Sequence, residues 1–334
     1  MQLKKTLGIT LLLLAVCILT ASLSENFLSS YNLENLLRRT ALFGIISIGV
    51  AFVIVTGGID LSVGSVICLA GCGLPWLLTT QGWSLPSALM AVAVVSAGIG
   101  LLHGLLITRL GIQPFVVTLC GLMMYRGMAR GFTGDQTVGF GDGFKDLRSL
   151  ATGRIELPFI DGFALPAPCV FLLVIALLAA FFLNRTIYGR YLLALGRSEE
   201  AARYSGINTG RMTVLAYVLC SCLAGFGGVL FVLDVNIAQP SDCGNFYELY
   251  AISAAVLGGC SLRGGVGTIY GVLVGAALMQ TLRNMIVLTT RHQHMEFAII
   301  GAVLLAGVVA DELLKRRHLR RKAARSLREE TTPA

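Results

Sequence analysis

Asp60 holds the hardest position to explain in this sequence. It stands between two long apolar runs, within Thr56-Gly-Gly-Ile-Asp-Leu-Ser-Val-Gly64. A carboxylate in apolar surroundings must face protein, water or a helix end. Ser62, two residues on, offers N-cap chemistry together with Asp60 for a helix that follows the glycine turn. Two readings stay open: a helix cap, or a polar group that lines or gates a path. His103 lies inside the apolar run 86–108. Its imidazole must find a hydrogen-bonding partner, either on another helix or on a solute. A second glycine-rich break reads Leu257-Gly-Gly-Cys-Ser-Leu-Arg-Gly-Gly-Val-Gly267. Each break has a Gly pair followed shortly by a polar residue, a Leu and another Gly. They fall in the two halves of the chain, the pattern of an internal repeat. Gly57, Gly58, Asp60, Ser62, His103, Gly258, Gly259 and Ser261 are therefore the residues expected to shape a pathway.

A different chemistry is concentrated between Tyr188 and Arg211. Ser198 followed by Glu199-Glu200-Ala201-Ala202-Arg203 reads as a capped short helix. Gly206 supplies a left-handed stop. A short exposed helix between two apolar spans can plug into a groove on a partner; the plainer reading is a solvated loop with an amphipathic turn.

Other chemistries are missing from the sequence. The five lysines are Lys4, Lys5, Lys145, Lys315 and Lys322, and none follows a Gly, so there is no Gly-Lys-Ser/Thr phosphate loop. Histidine occurs only at 103, 292, 294 and 318, which argues against His-rich zinc chemistry. No nucleophile–base arrangement stands out, and no metal or other cofactor is expected. The nine cysteines are mostly inside apolar runs, where they read as small hydrophobes. Cys68 and Cys72 share a helix face, and only Cys169 and Cys243 fall near expected external ends, where a disulfide is an option.

The elements that must position these residues follow from composition. Charged residues make up 13% of the chain and hydrophobic ones 55%, against about 25% charged in a soluble domain. Such a chain cannot cover a globular surface with polar groups, so its exterior faces lipid. The 39 glycines fit helices whose backbones approach closely in a membrane. The formal charge of +8 does not indicate nucleic-acid binding, because the basic residues sit at expected membrane edges and in the C-terminal tail. Apolar spans are expected near 7–23, 40–56, 62–80, 86–108, 112–131, 165–184, 212–234, 248–260, 266–288 and 294–314. The span 248–260 is too short to cross alone, so flanking residues complete it or it is a broken helix. The first span resembles a signal peptide but is read as retained, since no clear small-x-small cleavage site closes it.

The fold class expected is all-α integral membrane, about ten transmembrane helices with Gly-rich broken segments and both termini cytoplasmic. Orientation comes from Lys/Arg bias. The tail 315–334 and the loop 185–211 are basic and read as cytoplasmic, while the acidic loop 132–164 reads as external. Arg38 and Arg39 fall on the external side of their span, against this bias, and are expected to snorkel to the interface. Arg126 and Arg130 are expected to anchor an external helix end.

Three motifs now combine. Gly57-Gly-Ile-Asp-Leu-Ser-Val-Gly64, the glycine-rich 257–267 segment and Glu200-Ala-Ala-Arg-Tyr-Ser-Gly-Ile207 together resemble the permease subunit of ribose-type sugar ABC importers. Pro114-Phe-Val-Val-Thr-Leu119 resembles that family's Pro-Phe-Ile-x-Thr-Leu run. The likeness runs from about residue 30 to 310, and the family covers permeases for ribose, xylose, arabinose, galactose and autoinducer-2. It implies a two-permease pathway (homo- or heterodimer) in the bacterial inner membrane, a separate cytoplasmic ABC ATPase subunit and an extracytoplasmic sugar-binding protein. The 188–211 loop then resembles a coupling helix that docks on the ATPase through Arg197, Glu199, Glu200, Ala201, Ala202, Arg203 and Gly206. Residues 1–314 would form the permease domain and 315–334 a basic cytoplasmic tail. The sequence departs from the family where Tyr250 and Ser253 stand in Glu248-Leu-Tyr-Ala-Ile-Ser-Ala254, where Gly196-Arg197-Ser198 replaces Gly-Gly-Asn, and where His103 replaces a common Asn. An ion-coupled secondary transporter, using Asp60 and His103, and an ABC permease for branched-chain amino acids are the alternative readings.

Overall fold

The computed structural model describes residues 2–156 and 163–289, and near the C-terminus 295, 297–302, 305 and 309. It is an all-helical bundle with four very short strands. Helix α1 (Gln2–Leu23) leads through a 3₁₀ turn into α2 (Ser30–Val55). After the first glycine break come α3 (Val63–Pro75), extended by a π-helical turn over Trp76–Thr80, then α4 (Leu85–Leu110) and α5 (Pro114–Thr133). A connection carrying β1 (Val138–Gly139), α6 (Lys145–Thr152), β2 (Arg154–Glu156) and β3 (Ala164–Pro166) precedes α7 (Ala167–Arg185). Two short helices, α8 (Ile187–Arg197) and α9 (Glu199–Tyr204), lead to α10 (Thr209–Val235). Then follow β4 (Ile237–Ala238), α11 (Tyr247–Leu257) and α12 (Ile269–Thr289).

Six of these segments are long and apolar enough to cross a membrane: α2, α3 with its π turn, α4, α7, α10 and α12. Helix α11 has 11 residues and is too short to cross. Most of the expected last span 294–314 and the whole tail 315–334 lie outside the described residues. The expected starts agree to within a few residues except at α2, which begins ten residues before position 40. That extension is polar, and three of its polar side chains have distant partners. Asn32 exchanges amide hydrogen bonds with Asn284, Glu34 accepts from the Ala164 backbone N–H and pairs with Arg154, and Arg38 pairs with Asp234. Arg38 therefore does not snorkel to an interface as expected: its guanidinium lies 3.5 Å from the Asp234 carboxylate on a neighbouring helix.

Helix boundaries have local causes. Prolines at the first turns of α4, α5 and α7 occupy positions whose N–H has no intrahelical acceptor. Gly111 and Gly134 close α4 and α5 in left-handed conformation.

Helix α10 is the central element, packing on α2, α3 and α4. Its contacts are close because small residues face it. Ser96, Gly100 and Gly104 form a stripe at i, i+4, i+8 on α4. A Cβ on Gly100 would come within 2.6 Å of the Val218 Cα, and one on Gly104 within 2.6 Å of the Val214 Cα. Gly49 of α2 and Gly228 of α10 extend the pattern, the latter against Ile67 of α3. In a membrane, where lipid is as apolar as leucine, association rests on this close van der Waals packing. Helix α7, by contrast, presents most of its apolar surface outward, the face expected to meet lipid.

The contacts define two ends. At one, β1 pairs with β4, Asn236 donates to the Gly141 carbonyl and the start of α2 meets the β2–β3 hairpin. At the other, the end of α2, the α8–α9 elbow and the 258–268 turn come together.

Candidate functional site

The elbow forms because α8 is capped by Thr186, whose hydroxyl accepts from the Gly189 N–H, and α9 by Ser198, whose hydroxyl accepts from the Ala201 N–H at 3.2 Å. Gly206, with φ of 80°, ends α9 in left-handed backbone that a side chain would strain. The capped helix and glycine stop anticipated from sequence are both present. Arg197, Glu199, Glu200, Ala201 and Arg203 are exposed, whereas Ala202 is buried and pins α9 to the bundle. An open cleft of about 460 Å³ runs between the two helices, with Arg190 and Arg197 at its edge and Leu193, Ala202 and Ile207 in its lining. Tyr188 and Tyr191 of α8 and Tyr204 of α9 are exposed on the same two helices. Tyrosine and arginine around a small apolar recess is the composition that dominates protein–protein contact energy.

Behind this surface lies a junction of glycines. A Cβ on Gly196, at the end of α8, would collide with the Val55 carbonyl oxygen and the Gly265 amide. Gly265 donates its N–H to that same Val55 carbonyl at 2.8 Å. A Cβ on Gly264 would lie 2.6 Å from the Gly196 oxygen and 2.9 Å from the Gly57 nitrogen. Both breaks and the elbow thus meet backbone to backbone. Gly264 and Gly265 also carry positive φ, so two separate reasons exclude side chains there. Gly196 was recognised from sequence only as a departure from a motif; what it does became visible only once both breaks were placed.

Further into the bundle, Asp60 is buried at 1% exposure. Its Oδ1 accepts from the Ser62 backbone N–H at 2.9 Å and from the Ser62 hydroxyl at 2.6 Å. Neither side chain caps an N–H of α3, so the expected cap is absent; Asp60 instead organises the turn before the helix by holding Ser62. The Ile59 carbonyl next to it accepts from the Tyr217 hydroxyl of α10 at 3.2 Å. His103 of α4, also 1% exposed, shares a 2.8 Å hydrogen bond with the Tyr125 hydroxyl of α5. Its ring meets Tyr217 edge to face. Gly121 leaves room for this arrangement, since a Cβ there would lie 2.7 Å from His103 Nε2. Asp60 Oδ2 and His103 Nδ1 have no hydrogen-bond partner among the described residues. Hydrogen bonds to the Ile59 carbonyl from Tyr217 and from the Thr118 hydroxyl thus tie the first break to α10 and α5, while His103 and Tyr125 join α4 to α5 beside it, closed to solvent.

The second break carries no such cluster. Gly258 is packed against the Gly271 backbone, Gly259 turns with φ of 91°, and the Ser261 N–H donates to the Val266 carbonyl. The Ser261 hydroxyl accepts from the Arg263 N–H. Gly258 packs on α12 and Ser261 closes the turn that carries Gly264 and Gly265 to the elbow; no contact joins Gly258, Gly259 or Ser261 to Asp60 or His103 among the described residues.

Two sequence-based assignments are corrected. Arg126 does not anchor a helix end at an interface. Its guanidinium donates to the Pro240 carbonyl at 3.1 Å and to the Cys243 carbonyl, holding the irregular chain that precedes α11. Arg130 does remain exposed, paired with Asp135. Cys169 and Cys243 form no disulfide: the Cys169 thiol faces the Leu37 carbonyl, while Cys243 lies buried against Cys68 and Cys72. Glu248, seen before only as part of a motif, lies with its carboxylate against Gly64 in the first turn of α3. Among the described residues no group of His, Cys, Asp and Glu is arranged to hold a metal ion.

With the geometry in place, similarity to known proteins can be compared with it. Residues 32–308 match the family model described as "Branched-chain amino acid transport system / permease component". The chain is 34% identical to the ribose import permease protein of Escherichia coli K12 over 301 residues, covering 90% of this chain and 91% of that one. It is 33% identical to the ribose import permease protein of Bacillus subtilis over 306 residues, covering 91% and 92%. It is 31% identical to the xylose transport system permease protein of E. coli K12 over 348 residues, covering 87% of each. No solved structure matches the chain at a significant level.

Proposed function

The chain belongs to the family of branched-chain amino acid transport system permease components, and from that premise we propose that it is the permease subunit of an ATP-driven importer for a monosaccharide. Ribose and xylose permeases are the relatives it matches over nine-tenths of its length, which favours a sugar over an amino acid. It is a transport component and carries no phosphate loop of its own. A separate ABC ATPase supplies the energy and an extracytoplasmic sugar-binding protein delivers solute. Two permease subunits enclose the path in the bacterial inner membrane.

The observation that carries this reading is the junction at Gly196. A helix that only decorated the surface would not need backbone contact with both breaks. The elbow is built so that a push on its exposed Arg and Tyr face reaches Val55 and Gly265 directly and Gly57 through Gly264. The end bearing Arg185, Arg190, Arg197, Arg203 and Arg211 is the cytoplasmic one by its positive charge. The chain then crosses ten times, with residues 1–314 as the permease domain and the basic segment 315–334 inside the cell. Arg197, Glu199, Glu200, Ala201, Ala202, Arg203 and Gly206 form the docking surface. Gly57, Gly58, Asp60, Ser62, His103, Gly258, Gly259 and Ser261 shape the pathway from behind, by fixing where the broken segments sit.

The test is co-purification of the chain with its ATPase and sugar uptake into vesicles. Glu200→Arg is expected to abolish both while the bundle still folds. Unchanged capture and uptake would reject the docking surface. Accumulation of sugar by the purified chain alone, under a proton or sodium gradient, would reject the importer reading.

A further inference from the structure

The Asp60 and His103 side chains are closed to solvent, so neither touches a solute in this conformation. A different stretch is open. After β4, residues 239–246 run without helical structure from the β1–β4 end down alongside α3. The Pro240 carbonyl accepts from the Cys68 thiol, and Gly244 packs flat on the Gly64 carbonyl at the start of α3. From there the 11 residues of α11, about 16 Å of helix, return the chain to the elbow end. The tip of the segment therefore lies near mid-bundle.

Irregular backbone at this depth is tolerated only where protein or water surrounds it. One side is provided for: Arg126 donates to two of its carbonyls, and Cys243 and Gly244 are buried. The opposite side presents Ser241, Asp242 and Phe246 as exposed side chains, Phe246 at 50%. Asn245 is held by them, its amide donating to the Ser241 carbonyl at 3.0 Å and to Asp242 Oδ1 at 3.3 Å. A carboxylate cannot face hydrocarbon there without heavy cost. Phe246 adds a second mark. Its backbone is left-handed, with φ of 62°, a conformation that a bulky residue adopts only when its surroundings force it. That backbone sets the ring at the entrance to α11, where one edge meets the Phe297 ring with centroids 5.3 Å apart and half of the side chain stays exposed.

We propose that Ser241, Asp242, Asn245 and Phe246 form the sugar-contacting surface of the pathway. The chemistry fits a polyhydroxylated ring. A carboxylate and an amide, already oriented by one another, supply acceptors and donors for adjacent hydroxyls, and the Phe246 ring supplies an apolar face for the sugar's C–H groups. Sites of this kind combine a few placed polar groups with an aromatic wall. The contact is weak by construction, because only one side of the solute is held by each subunit. This inference rests on the permease reading above and names the part of the chain that meets the solute.

The test uses the full importer, with its ATPase and sugar-binding protein, in proteoliposomes supplied with radiolabelled D-ribose and, separately, D-xylose. Asp242→Ala is expected to lower uptake by about tenfold, the scale of losing a hydrogen bond to a charged group. Phe246→Leu, which keeps an apolar side chain, is expected to change the ratio of ribose to xylose uptake by about threefold while the complex elutes at its native size. Asp242→Asn, which keeps the contact with Asn245, guards against misfolding and should recover part of the loss. Uptake of both sugars at the wild-type rate and ratio in Asp242→Ala and Phe246→Leu would overturn the site and leave the permease reading intact. Losses explained wholly by dissociation of the two permease subunits would also overturn it, making this face a subunit contact. A wild-type complex that imports neither sugar would overturn the reading on which the site rests.

Discussion

The two glycine breaks look alike in sequence and are held by different physics. Both turn on a left-handed glycine, Gly57 with φ of 85° and Gly259 with φ of 91°; the second reaches the backbone of α8 through Gly264 and Gly265, and the first meets it through Gly264. The first continues into a buried polar cluster, in which Asp60 fixes the Ser62 turn and Tyr217 fixes the Ile59 carbonyl. The second is held by main-chain hydrogen bonds and close glycine packing, with the Ser261 hydroxyl as its one added side-chain acceptor within the turn. The first break should therefore respond to the loss of a charge or a hydroxyl, and the second chiefly to added volume. A repeated motif need not be a repeated mechanism.

The largest expected effect falls where both breaks meet. Gly196→Val places a branched side chain into the Val55 carbonyl and the Gly265 amide, an overpacking of about 3 kcal/mol or more. Loss of the folded chain from detergent extracts, read by size-exclusion chromatography, is the outcome to look for. A normal yield would mean that the elbow can separate from the breaks, and the contrast between them would lose its common hinge. Next comes Asp60→Leu, which leaves the buried Ser62 N–H without its acceptor, a cost of about 1–3 kcal/mol. Asp60→Asn keeps an acceptor and should retain most of the melting temperature. Equal melting temperatures for the two variants would show that the first break is held by packing, as the second is. The smallest effect is Ser198→Ala at the cap of α9, about 1 kcal/mol of local helix stability. Its signature is weaker ATPase capture with unchanged global melting; a fall in global melting would mean that α9 is part of the core fold.

Much of this architecture was legible because its signals are local. The glycine pair before Asp60, the Ser198 cap and the Gly206 stop each depend on residues within one turn, and all were found in place. The start of α2 was missed because Asn32, Glu34 and Arg38 look like loop residues until their partners at Asn284, Arg154 and Asp234 are known. Those partners lie more than 100 positions away, and no periodicity encodes them. Arg126 was misread for the same reason: an arginine near a helix end ordinarily serves the interface, and its true acceptors are carbonyls of Pro240 and Cys243. That His103 needed a partner could be stated in advance. That the partner is Tyr125, admitted by the missing side chain of Gly121, could not.

The contact between α4 and α10 has a mechanical consequence. Where Gly100 and Gly104 bring two main chains together, no layer of side chains remains to yield under load. The pair acts as one stiff beam, joined to α9 by a turn of four residues, 205–208. In the importer proposed above, a displacement delivered at the elbow would not be absorbed by rotamer changes along the way; it would arrive at the far end as a tilt of the whole beam. Such a machine has few intermediate postures, so its stroke is set by how far the lever swings and not by how softly it bends.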